Sequence, residues 1–202
     1  MKLYGSLTSP YVRKVRAFIR EKGIPMEFVV EGPHDAAANV ARLNPLGKVP
    51  VLVRDDGEVL FDSPLIIEYL DSLEGEALLP SPSEARWRIQ RWHALAQGMA
   101  DAAVTRLMEM RRAPDKQDPG VISRQEEKIA AAMEFAQAHL DGGQYLADAR
   151  FGIADMAVAV ALEYIDFRYA HNWRSRYTRL ADWHAGVAER VCLKETRFPT
   201  IV

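Results

Sequence analysis

The feature that most constrains the fold is a change of hydrophobic rhythm just before residue 80. Up to that point the chain is a series of short apolar runs broken by turn residues. Beyond it, every apolar stretch has helical spacing. Residues 1–4 read as a strand and 10–22 as a helix closed by Gly23, with Ser9 at the N-cap and Pro10 at the first helical position. Residues 26–30 give a second strand, 35–43 a short alanine-rich helix, and Asn44-Pro45-Leu46-Gly47 a turn cluster. Two further runs, 49–53 and 58–61, flank Asp55-Asp56-Gly57, a hairpin signal. Leu65, Ile66, Tyr69, Leu70 and Leu73 then repeat at helical spacing.

The order β-α-β-α-β-β-α predicts a mixed four-stranded sheet. The first two strands are joined through a helix and so run parallel, and the last two form an antiparallel hairpin. Residues 78–83, with two prolines and two serines, read as a linker between an α/β domain at 1–77 and an all-helical domain at 84–202. In the second part, 84–112 is one long helical pattern, kinked or split near Gly98. Residues 122–140 and 180–191 give further helices and 194–202 an irregular tail. Residues 153–167 are apolar on nearly every face, as in a helix at the centre of a bundle.

Bulk properties remove several classes of function. A net charge of −2 gives no electrostatic case for nucleic acid or a membrane surface. No apolar run approaches the roughly 18 residues of a membrane span. The first residues form a strand-like segment rather than a charged and apolar leader. Cys192 is the single cysteine, which excludes an internal disulfide, a CxxC redox pair and a cysteine zinc cage, and the five histidines lack metal-ligand spacing. The expectation is a cytoplasmic protein with no metal.

Two helix starts share the Ser-Pro arrangement, Ser9-Pro10 and Ser63-Pro64. Free N–H groups and the positive end of a helix dipole stand at such starts, where an anion is stabilised; capping alone is the structural alternative. Between them lies Gly47-Lys48-Val49-Pro50-Val51, where proline enters a strand. If the Val49–Pro50 bond were cis, Val49 could turn its N–H and C=O to a peptide-like ligand.

Three motifs in order, Ser9-Pro10-Tyr11-Val12-Arg13-Lys14, Asn44-Pro45-Leu46-Gly47-Lys48-Val49-Pro50 and Phe61-Asp62-Ser63-Pro64, resemble those of cytosolic glutathione transferases. The likeness covers essentially the whole chain and is closest to small bacterial glutathione transferase-like proteins. It implies a thioredoxin-like first domain, a helical second domain, a homodimer, and glutathione as co-substrate with no permanently bound cofactor. Ser9 would donate a hydrogen bond to the glutathione sulfur and favour the thiolate, with Thr8 as its alternative. Val49, before a proline that is cis in the family, would pair with the cysteinyl backbone. Ser63 would hold the γ-glutamyl carboxylate. Asp62 stands where the family often has the longer Glu or Gln, near the γ-glutamyl ammonium. Lys48 and His34 would meet the glycyl carboxylate. Relatives with cysteine at position 9 form mixed disulfides, which serine cannot do.

The resemblance extends to Phe151-Gly152-Ile153-Ala154-Asp155-Met156, a capping box and staple in which Gly152 replaces the usual Ser or Thr. A structural cap is the expected role of Gly152 and Asp155. Asp101 matches an acid that reaches the neighbour's site in some dimeric relatives; a solvated or intrachain role is its alternative. The acceptor pocket would be lined by Leu7, Tyr11, Leu107, Met110 and Phe198. The expected function is addition of the glutathione thiolate to a small electrophile. The alternative is a non-catalytic interaction protein on the same fold, and a thiol-disulfide oxidoreductase has no cysteine near position 9 to support it.

Overall fold

The computed structural model describes residues 1–32, 39–73, 75–169 and 171–200. The chain divides into two compact units, Met1–Pro80 with Arg190–Val202, and Ser81–Glu189.

The first unit carries β1 (Lys2–Gly5), α1 (Pro10–Lys22), β2 (Glu27–Val30), α2 (Val40–Leu43), β3 (Val51–Val53), β4 (Val59–Leu60) and α3 (Ser63–Asp71). The sheet order is β2-β1-β3-β4, with β1 parallel to β2 and β3 antiparallel to both β1 and β4. This is the expected mixed sheet. Gly57 at φ 86° makes the hairpin turn, and its N–H donates to Arg54 O at 3.0 Å. α1 runs between the expected bounds because both ends are written locally. Ser9 caps the start, Pro10 opens it, and Gly23 at φ 66° takes the left-handed C-cap. Part of the expected helix at 35–43 falls outside the described residues, and α2 covers its last turn.

Sequence rhythm placed the stretch from 190 onward with the helices, but its contacts are with the sheet unit. Arg190 pairs with Glu21, Arg13 Nη2 donates to Leu193 O at 3.3 Å, and the Arg13 guanidinium lies 4.5 Å over the Phe198 ring. The short α9 (Val191–Lys194) packs on α1. Arg13 is fully buried, so the tail closes the apolar side of α1 with an arginine rather than an aliphatic residue.

The second unit holds α4 (Glu84–Met110), α5 (Pro119–Ala138), α6 (Ile153–Arg168), α7 (Trp173–Arg176) and α8 (Thr178–Ala188). α4 runs through Gly98 as one continuous helix, so of the kink or split expected there the split does not occur; a single glycine weakens a helix without ending it. α5 starts three residues earlier than expected because Asp118 caps it and Pro119 opens it. α6 packs against α4 and α8, and every residue from Ile153 to Leu162 is buried, as its unbroken apolar character predicts. α7 had no signal in the sequence. It is anchored by Trp173, fully buried, whose Nε1 donates to Asp166 at 2.7 Å.

Candidate functional site

Strand register brings the three sequence motifs to one edge of the sheet. Tyr4 pairs with Val51 and Leu52 with Leu60. The end of β1, the start of β3 and the end of β4 therefore lie together, and from them emerge Ser6–Ser9, Val49-Pro50 and Phe61–Ser63. Two peptide bonds among the described residues are cis, Val49–Pro50 and Phe61–Asp62.

Gly5 sets how closely α1 approaches. A Cβ on Gly5 would lie 2.5 and 2.6 Å from the Val12 methyl groups, so only glycine lets the first turn of α1 sit against β1. Sequence reasoning passed over this position, although a glycine ending a strand before a helix cap is a signal of close approach. At the helix start Ser9 Oγ accepts the Val12 N–H at 3.3 Å, the N-cap bond predicted for it. That bond uses the oxygen's lone pair and leaves the hydroxyl proton to be donated. Thr8 is differently placed. Its Oγ1 hydrogen-bonds Ser6 Oγ at 2.9 Å, and its own N–H donates to the same Ser6 oxygen at 3.2 Å. No acidic side chain occupies the cap or the first turn of α1, so nothing there neutralises its positive end.

The second Ser-Pro pair is not a copy of the first. Asp62, not Ser63, is the N-cap of α3: it has extended backbone and its carboxylate accepts the Ser63 N–H. Asp and Ser are comparable caps, and with both present the helix begins one residue early. Ser63 then becomes the first helical residue. Its side chain is fully buried, and its Oγ has no hydrogen-bond partner among the described residues. Asp62 itself is exposed.

Asn44 organises the loop before β3. Its Oδ1 accepts the Leu46 N–H at 3.0 Å and its Nδ2 donates to Lys48 O at 2.8 Å, while Gly47 at φ 59° completes the turn. Lys48 is exposed, Val49 half-buried and Pro50 buried. His34 lies outside the described residues. Buried Glu31, which the sequence did not mark, accepts from the Val40 N–H at 3.1 Å and from Asn39 Nδ2 at 3.3 Å, fixing the start of α2.

Elsewhere, Asp155 Oδ2 accepts the Gly152 N–H at 3.0 Å, and Oδ1 accepts the Leu146 N–H at 2.8 Å. Those bonds give a helix cap with a reach into the preceding loop. Asp101 is exposed on α4. Leu7 is exposed and Tyr11 half-buried near the start of α1, Leu107 and Met110 occupy the last turn of α4, and Phe198 carries the Arg13 guanidinium. Arg106 is drawn off to Glu126 at 2.7 Å and stacks 3.9 Å over Tyr169. Burial first, and then Glu21, push the Cys192 thiol up to about 12. No group of three or more metal-ligating side chains able to hold an ion occurs among the described residues, and no helix there is long and apolar enough to cross a membrane.

A parallel-and-antiparallel sheet with three loops gathered at one edge, followed by an all-helical unit, defines the class, and comparison with known sequences gives the family. Profiles described as the N-terminal and C-terminal domains of glutathione S-transferase match residues 3–78 and 119–186. The chain belongs to the glutathione S-transferase family. It is 41% identical over 83% of its length to an uncharacterized GST-like protein, YibF, of Escherichia coli (strain K12), covering 83% of that protein. A glutathione S-transferase from Methylobacillus flagellatus, crystallised with glutathione bound, superposes with a TM-score of 0.93 at 39% identity, over 97% of this chain and 98% of that one. A glutathione transferase family member from Pseudomonas fluorescens Pf-5 with bound glutathione gives 0.89 at 35% identity, over 98% and 99%.

Proposed function

We propose that this protein is a glutathione transferase that binds glutathione at the shared edge of β1, β3 and β4 and adds its thiolate to a small electrophile. The observation that carries the reading is the Ser9 hydroxyl. It caps α1 through its oxygen while keeping a proton to donate, at a helix end with no acid in its first turn. A thiolate placed there would accept the Ser9 O–H and feel the dipole of α1, both of which favour the ionised sulfur. Thr8 is the weaker candidate because its hydroxyl is engaged with Ser6.

In this reading Val49 pairs with the cysteinyl backbone of glutathione through its own N–H and C=O. The γ-glutamyl end meets Asp62 and Ser63 at the start of α3, and Lys48 and His34 meet the glycyl carboxylate. Acceptor contacts are assigned to Leu7, Tyr11, Leu107, Met110 and Phe198. Glutathione is a co-substrate and leaves as part of the product, so no resident cofactor enters the reaction. A cytoplasmic homodimer is the working state, and the exposed Trp87 on α4 supports it.

One observation favours a second reading, a binding protein without turnover. Ser63 is fully buried and one oxygen of Asp62 is already used as a cap, so the γ-glutamyl contacts are not laid out for a ligand as they stand. The two readings separate in one experiment. Turnover with a generic electrophile that falls about a hundredfold or more in Ser9→Ala, with glutathione affinity little changed, supports the transferase. Glutathione binding without turnover in the wild type supports the second reading, and turnover unchanged in Ser9→Ala contradicts the Ser9 mechanism.

A further inference from the structure

Along the C-terminal half of α1, beginning at Arg16 about 10 Å from Ser9 by the helix rise per residue, the sheet unit holds a separate cleft of about 290 Å³. Part of its wall is apolar: Leu3 from β1, Ile19 from α1, Ile24 and Met26 from the connection, and Phe28 from β2. One cation lines it without a counter-charge. Arg16 is half-buried, its guanidinium lies 4.7 Å over the Phe28 ring, and among the described residues it makes no hydrogen bond or ion pair. The carboxylate that lines the same cleft, Glu195, is committed elsewhere, to Arg20 through Nε and through Nη2 at 3.1 Å. Burial and the neighbouring Arg13 both work against the charge on Arg16 and lower its pKa from the usual value, yet a guanidinium stays protonated at neutral pH.

We propose that this cleft binds a small organic anion: a carboxylate on a flat or short apolar body. Stacking on Phe28 holds the Arg16 plane and leaves N–H groups on its edge for a bidentate pair with a carboxylate. The walls take the apolar body. At this size the cleft stands at the small end of ligand pockets and suits a one- or two-ring acid rather than a lipid chain or a protein segment. The anion supplies the charge that the cleft lacks, and the desolvated setting makes that pair stronger than one in open water.

The site lies along the second half of α1, away from the Ser9 end, so it is tested with glutathione present at saturation. The intact protein is titrated with 1-naphthoate by calorimetry, and with the neutral 1-naphthamide as a comparison that requires no variant. Expected is one 1-naphthoate per chain, with binding weaker by about tenfold or more for the amide, and weaker by a similar factor in Arg16→Gln, because hydrogen bonds to charged groups carry that much. Arg16→Gln should keep its circular dichroism and its affinity for glutathione, and Arg16→Lys should recover part of the binding. Absence of saturable binding, equal binding of the acid and the amide, or loss of 1-naphthoate binding as glutathione is added would each overturn the proposal.

Discussion

Ser9 and Thr8 are adjacent hydroxyls with opposite commitments. Ser9 gives its oxygen to the helix and keeps its proton; Thr8 Oγ1 is tied to Ser6. Sequence could rank the two only through the Ser-Pro pattern, because the Ser6 partner is a matter of loop shape. Cys192 shows the reverse case of a chemically capable residue withdrawn from chemistry. With its thiol at about 12, the thiolate fraction at pH 7 is on the order of 10⁻⁵. The folded protein should therefore resist a thiol reagent at neutral pH, whereas the denatured chain should titrate one thiol. Rapid labelling of the folded protein would contradict this. The raised value also has a sign in stability: the unfolded chain releases the proton above a pH of about 8.5 while the folded chain holds it. This stabilisation is complete below that pH and is lost as the pH rises toward 12, a decline that Cys192→Ala should remove.

Elements whose ends are written in single residues were legible, and α1 is the clearest of them. Ser9, Pro10 and Gly23 fix both of its ends without help from tertiary contacts. The start of α3 was misjudged by one residue because Asp62 and Ser63 are both competent caps, and only the three-dimensional path of the chain decides between them. α7 was missed because a four-residue helix held by one buried tryptophan has no periodicity to detect. The α6 cap tests how much of its box is present. Asp155 is buried and serves two N–H donors, so Asp155→Ala should cost about 2 kcal/mol or more in chemical denaturation. Gly152→Ser should add a few tenths of a kcal/mol. A Cβ at position 152 meets nothing within 4 Å and the backbone there is extended, so serine fits and can supply the missing half. A destabilised Gly152→Ser would show that the glycine is held for another reason.

At the scale of the whole molecule, the division into an α/β part and a helical part was visible in hydrophobic rhythm. The return of the C-terminal stretch to the sheet unit was not, since Arg13, Arg190 and Phe198 carry no pattern that links positions so far apart. The convergence of the three loops follows from strand register, which the β-α-β-α-β-β-α order implies only once the sheet order is known. For the assembly, Trp87 is 61% exposed on α4, an unusual position for a tryptophan in a lone chain. The wild type should sediment as a dimer at micromolar concentration and Trp87→Glu should shift toward the single chain; a wild-type monomer would contradict the homodimer.

The central claim is that Ser9 favours the glutathione thiolate, and the ultraviolet titration of thiolate absorbance in the binary complex tests it most directly. Glutathione bound to the wild type should ionise well below free glutathione, Ser9→Ala should return the sulfur toward its free value by about one pH unit or more, and Thr8→Ala should leave it near wild type. A thiol pKa unchanged by Ser9→Ala, or moved instead by Thr8→Ala, would contradict the account.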